Sequence, residues 1–371
     1  MKKVIILVLV VLVVIGVIAV VSRKPTPNEK IYVAVEGEGK IAVVDAEKRV
    51  VIKTIDLSLT HEGGLLVFMP HNVQVAPDGK TVWVTANAGT HQGHGAFVIN
   101  RARANGGEGA EPDQVIVIDP KTDFIINRIE LSSGLHLAHV ALTPDSAIAY
   151  VTAQTEGAIY KIDAKTLKVL KKIETPKGSE PHGLRIDPKG QTAYIALLKG
   201  KGIGFLDTIF DTLAVGNLKG EAVQVGVTPN GTLTFASLYD TKELALFSAE
   251  SKLVKYIKLP LSSKGPIQMY PTPDSKFVYL ADQGYYFGEP AGNLVYKIDL
   301  EATTVVKEIK AGQGPHGVVV SPDGKFVYVT NLLSGDLSII DTSTDMEIAK
   351  VPLGKEPNGI SIWSKTAGGT P

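Results

Sequence analysis

The residues best suited to chemistry in this sequence are its eight histidines, because a neutral imidazole can bind a transition metal or transfer a proton near neutral pH. Two pairs, His91/His94 and His136/His139, have the spacing H-x-x-H, which on a loop can bring two rings to one ion. The chain contains no cysteine, so thiolate ligands and disulfides are excluded. Three further histidines, each directly after a proline, are His71, His182 and His316.

A fourteen-residue pattern that recurs seven times determines where these histidines lie. Near the C-terminus it reads YVTNLLSGDLSIID (328–341), and near the start it reads YVAVEGEGKIAVVD (32–45). In both copies an aromatic residue precedes an aspartate by 13 positions, and the copies that begin at 83 and 279 are lengthened by loops. A period of roughly 40–50 residues made of short β-rich runs is typical of a propeller or solenoid.

The sequence of the repeat resembles that of the YVTN-repeat β-propellers, most clearly in SPDGKFVYVTN (321–331) followed by SGDLSIIDT (334–342). The resemblance covers nearly everything after residue 30 and implies an all-β, seven-bladed β-propeller. The first repeat lacks an innermost strand, and EPNGISIW (356–363) matches that strand. We therefore expect the N- and C-terminal strands to share one blade, which leaves no open sheet edge.

The boundaries follow from these patterns. We predict a signal anchor or transmembrane helix over 1–21, a linker over 22–30, the propeller over 31–363 and a C-terminal tail over 364–371. The aspartate that ends the third strand of most repeats is predicted to cap a turn by accepting backbone N–H groups. These aspartates are Asp45, Asp119, Asp163, Asp207, Asp299 and Asp341.

All eight histidines map to one face of this propeller. Neighbouring strands run in opposite directions, so the turns between the second and third strands share a face with the links between blades. We call this the top face. The insertions at 88–113 and 282–292 lie there too. Because loops added to a repeat scaffold usually carry function, the top face is the predicted binding surface.

A transition-metal site, with copper or zinc as the ion, is one prediction for this face. The competing interpretation is structural. Pro-His-Gly often occurs in the sequence of this repeat, and a neutral histidine can cap a strand by a hydrogen bond to the backbone. The candidate ligands are His71, His139, His182 and His316, joined by His91 and His94 from the blade 2 insertion.

The arrangement also resembles, more distantly, the propeller domain of nitrous oxide reductase, whose copper cluster is held by histidines at the channel entrance. The matching positions are His71, His182 and His316, with His139 nearby. Two blades carry valine and isoleucine at the matching place, and the second, cysteine-bearing copper domain of that family is absent from this sequence. The resemblance therefore implies a smaller metal site rather than nitrous oxide reduction.

Other top-face residues form a candidate surface for a ligand or protein partner. Tyr285, Tyr286 and Phe287 give the blade 6 loop an aromatic tip, which either contacts a partner or packs the loop onto its blade. Asn358 occupies the blade 1 position that histidines occupy elsewhere. Arg101 could hold an anion or face solvent.

Composition limits the functions to be considered. The formal net charge is zero, which gives no indication of a nucleic-acid partner. We predict a membrane-anchored or exported module, periplasmic or at the cell surface, that binds a protein or small-molecule ligand through its top face. A metal site with a redox or metal-handling role is an alternative. A lactonase-like hydrolase is another, since lactonases also use seven-bladed propellers, but no catalytic constellation selects it.

The N-terminal segment gives a testable prediction. Residues 4–21 are 18 consecutive apolar or glycine residues, nearly enough for a helix to cross a bilayer core, and no good cleavage site follows them. Cell fractionation should find the protein in the membrane with its N-terminus intact. A soluble protein that begins near residue 20–25 would show that the segment is a cleaved signal.

Overall fold

The computed structural model describes residues 26–61, 64–89 and 111–369. The predicted membrane segment and the candidate residues His91, His94 and Arg101 lie outside these ranges. Among the residues described, none forms a helix of the length and apolarity needed to cross a membrane.

The chain folds into seven antiparallel sheets, the blades, and a short two-stranded hairpin. Two 3-10 turns, Glu36–Glu38 and Tyr285–Phe287, lie on the top face. The strands of blade 1 and the hairpin are β1 (Glu29–Val35), β2 (Lys40–Asp45), β3 (Val50–Asp56), β4 (Leu59–His61) and β5 (Gly64–Leu66). Blade 2 contains β6 (Phe68–Val75), β7 (Val82–Ala88), β8 (Gln114–Asp119) and β9 (Phe124–Glu130). Blade 3 contains β10 (Leu137–Leu142), β11 (Ile148–Ala153), β12 (Ala158–Asp163) and β13 (Val169–Glu174).

The remaining blades follow the same order. Blade 4 contains β14 (Pro181–Ile186), β15 (Thr192–Leu197), β16 (Gly202–Asp207) and β17 (Thr212–Asn217). Blade 5 contains β18 (Ala222–Val227), β19 (Leu233–Leu238), β20 (Glu243–Ser248) and β21 (Leu253–Lys258). Blade 6 contains β22 (Pro266–Pro271), β23 (Phe277–Asp282), β24 (Leu294–Asp299) and β25 (Thr304–Lys310). Blade 7 contains β26 (Pro315–Val320), β27 (Phe326–Asn331), β28 (Asp336–Asp341) and β29 (Met346–Pro352). The chain then returns to blade 1 with β30 (Pro357–Ser364) and β31 (Gly368–Gly369).

The predicted closure of the ring is confirmed. Strand β30 pairs antiparallel with β1, with Ile362 opposite Ile31 and Ser361 opposite Tyr32. Glu29 pairs with Ser364, so the first strand begins two residues before the predicted start of the propeller. The predicted tail contributes β31, which pairs with the end of β30.

The core lies between the blades rather than inside any one of them. The innermost strands β30, β6, β10, β14, β18, β22 and β26 contact one another in ring order. The aromatic residue that opens each repeat is buried between neighbouring sheets, as shown by Tyr150 and Tyr279, which are both 0% exposed. The outermost strands are mostly exposed, and β13 and β29 each bury a single residue, Ile173 and Val351. Apolar burial of this kind drives formation of the ring.

The predicted role of the repeated aspartates is confirmed. In each case a carboxylate oxygen accepts a backbone N–H two residues further along the chain, as between Asp163 Oδ1 and Lys165 N (3.0 Å). The other five make the same bond, at distances of 2.8–3.1 Å, and are Asp45, Asp119, Asp207, Asp299 and Asp341. These carboxylates hold the turns on the face opposite the histidines.

Removal of the closing strand should be severely destabilising. Deletion of 356–371 takes away β30 and exposes the edge of β1, so we expect the melting temperature to fall by about 10 °C or more. Deletion of 365–371 keeps β30 and is the matched control, with a much smaller expected change. If the two truncated proteins melted alike, β30 would not be what closes the ring.

Candidate metal centre

Every innermost strand carries a β-bulge at its top end, where the register against the next strand shifts by one residue. In β14 the bulge contains His182 and Gly183, between the paired residues Pro181 and Leu184. A bulge bends its strand and re-aims side chains, which is why such positions recur near functional sites. A Cβ on Gly183 would lie 2.6 Å from the Cα of Gln224, so only glycine permits this approach of β14 to β18.

Hydroxyl groups link neighbouring blades at the level of these bulges. Thr152 Oγ1 accepts the His139 N–H (2.9 Å) and donates to the carbonyl of His182 in the next blade (2.7 Å). We call this bond to the next blade the hydroxyl link. The residues that form it are Thr85, Thr152, Ser237 and Thr330, in blades 2, 3, 5 and 7. The equivalent positions in blades 1, 4 and 6 carry alanine, namely Ala34, Ala196 and Ala281.

The side chains of the candidate site bridge the three junctions that lack a hydroxyl link. From blade 4, His182 Nδ1 bonds to the carbonyl of Val223 in blade 5 (2.9 Å). From blade 6, Gln283 Nε2 bonds to His316 Nδ1 in blade 7 (2.7 Å). Between blades 1 and 2, Asn358 Nδ2 lies 3.3 Å from His71 Nδ1. The candidate residues therefore make structural hydrogen bonds, in addition to carrying groups that are suited to chemistry.

Three of the four predicted principal ligands meet at the channel entrance. His71, His139 and His182 are all buried, and each offers a ring nitrogen within 4.8 Å of the others. The closest approach joins His71 Nε2 to His182 Nε2, at 3.4 Å. These two rings come from blades 2 and 4, and the blade between them carries Ala138 at the same position. A single methyl group there leaves room for the two imidazoles to meet.

The spacing of this triad suits one ion. Two nitrogens at about 2.0–2.1 Å from a tetrahedral zinc ion are roughly 3.3–3.4 Å apart, which is the separation found between His71 and His182. The donor atoms are the imidazole nitrogens that zinc and copper accept. The nitrogen that His139 offers lies within 4.8 Å of the nitrogens of the other two.

The protonation states also favour metal binding. Burial, reinforced by neighbouring cationic groups, lowers the pKa of His139 and His182 well below the ordinary value, so both rings are neutral at neutral pH. Because Nδ1 of His182 donates to the Val223 carbonyl, its Nε2 lone pair is directed away from that bond. Among the described residues, neither ring nitrogen of His139 has a hydrogen-bond partner.

A buried carboxylate lies behind His71. Glu36 Oε1 is 3.5 Å from His71 Nδ1, and Glu36 Oε2 accepts a hydrogen bond from Asn358. Burial alone would raise the pKa of Glu36, but its electrostatic interaction with His71 and the hydrogen bonds from His71 and Asn358 lower it below its ordinary value. A carboxylate that accepts the Nδ1–H of a histidine leaves Nε2 free for a metal, and this pairing is usual behind metal-bound histidines.

Two more histidines lie near the triad. The His136 ring is 5.4 Å from the His71 ring, centroid to centroid, and burial lowers the pKa of His136 to about 4. His316, a predicted ligand, does not join the triad: Gln283 holds its Nδ1, and the Tyr286 ring lies against it at 5.4 Å. His316 is instead a separate buried group on the blade 7 side of the channel.

The aromatic tip of the blade 6 loop is divided between two roles. Phe287 stacks on Tyr239 of blade 5 with 3.3 Å between ring centroids, and Tyr239 donates its hydroxyl to the Phe287 carbonyl (2.8 Å). Phe287 therefore packs the loop onto its neighbour. Tyr286 lies over His316 and is partly exposed, as is Tyr285. The prediction that these two tyrosines contact a ligand or partner remains open to experiment.

Sequence reasoning missed Glu36 and Gln283. Both follow the second strand of a blade, so their position on the top face was readable from the repeat. Their polarity alone did not separate them from ordinary loop residues. Their bonds to His71 and His316 depend on the pairing of blades across a junction, which the repeat pattern does not encode.

Fold and site together define a seven-bladed propeller with a histidine-lined entrance to its central channel. The chain belongs to the YncE-like β-propeller family, whose sequence profile matches residues 87–367. This confirms the resemblance to YVTN-repeat propellers. The chain is 30% identical over 105 residues to the YncE protein of Salmonella typhimurium and 29% identical over the same length to that of Salmonella typhi. Each aligned stretch covers 28% of this chain and 26% of the relative, about a quarter of the relative's length.

Solved structures share the fold at low sequence identity. A functionally unknown protein from Desulfotomaculum acetoxidans has a TM-score of 0.68 at 14% identity, and the match covers 90% of this chain and 98% of that one. Hydrazine synthase from Kuenenia stuttgartiensis has a TM-score of 0.64 at 18% identity, covering 81% and 94%. Virginiamycin B lyase from Staphylococcus aureus has a TM-score of 0.62 at 14% identity, covering 80% and 92%. At such identities these matches show the fold alone.

The buried histidines predict how stability depends on pH. Burial, with a smaller effect from His71, lowers the pKa of His316 to about 3. The unfolded chain therefore takes up a proton below about pH 6.5 that the folded chain does not, and stability falls as the pH falls from 6.5 towards 3. At pH 5 this one group should cost about 2 kcal/mol.

Chemical denaturation of the EDTA-treated protein at pH 7.5 and pH 5 measures this effect. The free energy of unfolding should fall by about 2 kcal/mol less for His316→Gln than for the unsubstituted chain. An equal fall in both proteins would show that His316 is not a buried neutral group.

Proposed function

We propose that this propeller binds one transition-metal ion, zinc or copper, through His71, His139 and His182. The observation that carries the proposal is His139. Its side chain is completely buried, and neither ring nitrogen has a partner among the described residues. A buried polar group without a partner costs about 1–3 kcal/mol, and a metal ion would supply the missing interaction.

A metal-free network accounts for the other two histidines but not for His139. If His71 carried its proton on Nε2, it could donate to the Nε2 of His182 across the 3.4 Å that separates them. Asn358 could then donate to His71 Nδ1. This arrangement gives His139 nothing to bond with. His139 is therefore the residue at which the structural and the metal-binding interpretations make different predictions.

Three imidazole ligands leave the fourth position of a tetrahedral ion open. That position would allow the ion to hold water or an exogenous ligand, and bound to zinc a water is a much stronger acid than in bulk solvent. We propose that the propeller acts in this way as a ligand-binding module, held at a membrane by residues 4–21 with its blades outside the cytoplasm. A metal-handling role uses the same site with the ion itself as the cargo.

Metal titration tests the site. The full chain, stripped with EDTA and titrated with Zn²⁺ or Cu²⁺, should retain about one equivalent after desalting. His139→Leu removes one ligand and should abolish tight retention, whereas His61→Gln, which changes a histidine that is not a proposed ligand, should retain it. Glu36→Gln should weaken the affinity for the metal by about 10–100-fold, because it replaces the carboxylate behind His71 with a neutral amide.

The structural interpretation predicts a different pattern. Without a metal site, His139→Leu removes an unsatisfied polar group and should leave metal retention unchanged while raising thermal stability. Absence of stoichiometric metal from the unsubstituted chain, or its retention by His139→Leu, would refute the proposal. The double variant His91→Gln/His94→Gln determines whether the blade 2 insertion adds ligands.

A further inference from the structure

Hydrogen-bond donors without partners recur at the bulges of blades 5, 6 and 7. Gln224 and Gln268 occupy the second bulge position in blades 5 and 6, the position that His139 occupies in blade 3. Both glutamines are buried, and the side-chain nitrogen of each has no partner among the described residues. His316 in blade 7 adds a buried Nε2 that is likewise unpartnered in that part of the chain. Three adjacent blades thus each hold an unsatisfied polar atom at the level of the bulges.

The surrounding bonds determine that two of these atoms are donors. Gln224 Oε1 accepts the N–H of Val225 (2.9 Å), so the free end of that amide is its NH₂ group. Gln283 Oε1 lies 3.3 Å from the backbone N of Tyr286, so its NH₂ group must be the end that donates to His316 Nδ1. A neutral His316 therefore carries its proton on the unpartnered Nε2. Atoms of this kind recognise an acceptor and cannot ligate a cation.

A cation completes the set. Arg185 lies two residues beyond Gly183 on the innermost strand of blade 4, and in the described part of the chain it forms no ion pair. Its guanidinium donates to the Leu184 carbonyl (2.8 Å), which leaves most of its five N–H donors available. It is only partly exposed, and its charge acts on His139 and on Tyr270 in blade 6.

We propose that this region binds a small oxyanion, a carboxylate or an inorganic oxyanion, between Arg185 and the donors Gln224, Gln268 and His316. Water could satisfy the amides and the imidazole, but an anion would also balance the charge of the half-buried guanidinium. The carboxylate of Glu36 lies at the opposite junction and is committed to His71 and Asn358. The channel entrance is thus divided into a side that suits a cation and a side that suits an anion.

This inference goes beyond the proposed metal site and does not require it. In the absence of metal the donors and Arg185 remain, so binding of an anion to EDTA-treated protein is independent of zinc or copper. Failure of one proposal therefore leaves the other testable.

Calorimetric titration of the metal-free full chain with phosphate, sulfate and acetate, at constant ionic strength, tests the proposal. At least one of the three should bind saturably with one site per chain. Arg185→Gln should weaken that binding by about tenfold or more, because a charge-assisted bond is lost. Gln268→Leu removes a neutral donor and should weaken it by a smaller but measurable factor.

The matched control is Lys199→Gln, which removes a cation from the same blade and the same face but outside the channel. It should leave the affinity unchanged. Melting curves establish that each variant folds, and Gln268→Leu keeps the test valid if Arg185→Gln does not. No saturable binding of any probe, or equal weakening by Lys199→Gln and by the channel variants, would overturn the proposal.

Discussion

The junction between neighbouring innermost strands is the contact on which this structure depends. At four junctions a threonine or serine hydroxyl at the level of the bulge donates a hydrogen bond to a backbone carbonyl of the next blade. At the other three, where alanine replaces the hydroxyl, side chains of the channel entrance make the link instead: Asn358 with His71, His182 with Val223, and Gln283 with His316. The ring is thus continuous at the level of the site, and the site residues contribute to that continuity.

This arrangement explains why a structural and a functional interpretation of the same histidines are both supported. His182 holds blade 4 to blade 5 through Nδ1 while its Nε2 faces the triad. One nitrogen serves the fold and the other is available for chemistry. His139 has no such division, since its backbone N–H bonds to Thr152 but its ring bonds to nothing described. Loss of stability on substitution therefore does not by itself distinguish the two roles at His71 or His182.

The predictable parts of this structure are those that depend on short sequence patterns within a single repeat. The turn caps such as Asp163, and the return of EPNGISIW to blade 1, follow from short patterns that one repeat contains. The meeting of His71 with His182 was only partly predictable, because it also depends on Ala138 in the blade between them. The separation of His316 from the triad depends on Gln283, which bonds to it across a junction between blades. Such facts concern which residues face each other across a ring, and a linear repeat does not contain them.

The shared first blade has a consequence for how the protein matures. Glu36 comes from the start of the propeller and Asn358 from its last long strand, and both bond next to His71. During synthesis the three triad histidines emerge early, but the blade that orients His71 stays incomplete until β30 has left the ribosome. The surroundings of His71 are therefore complete only once β30, the last long strand, has paired with β1.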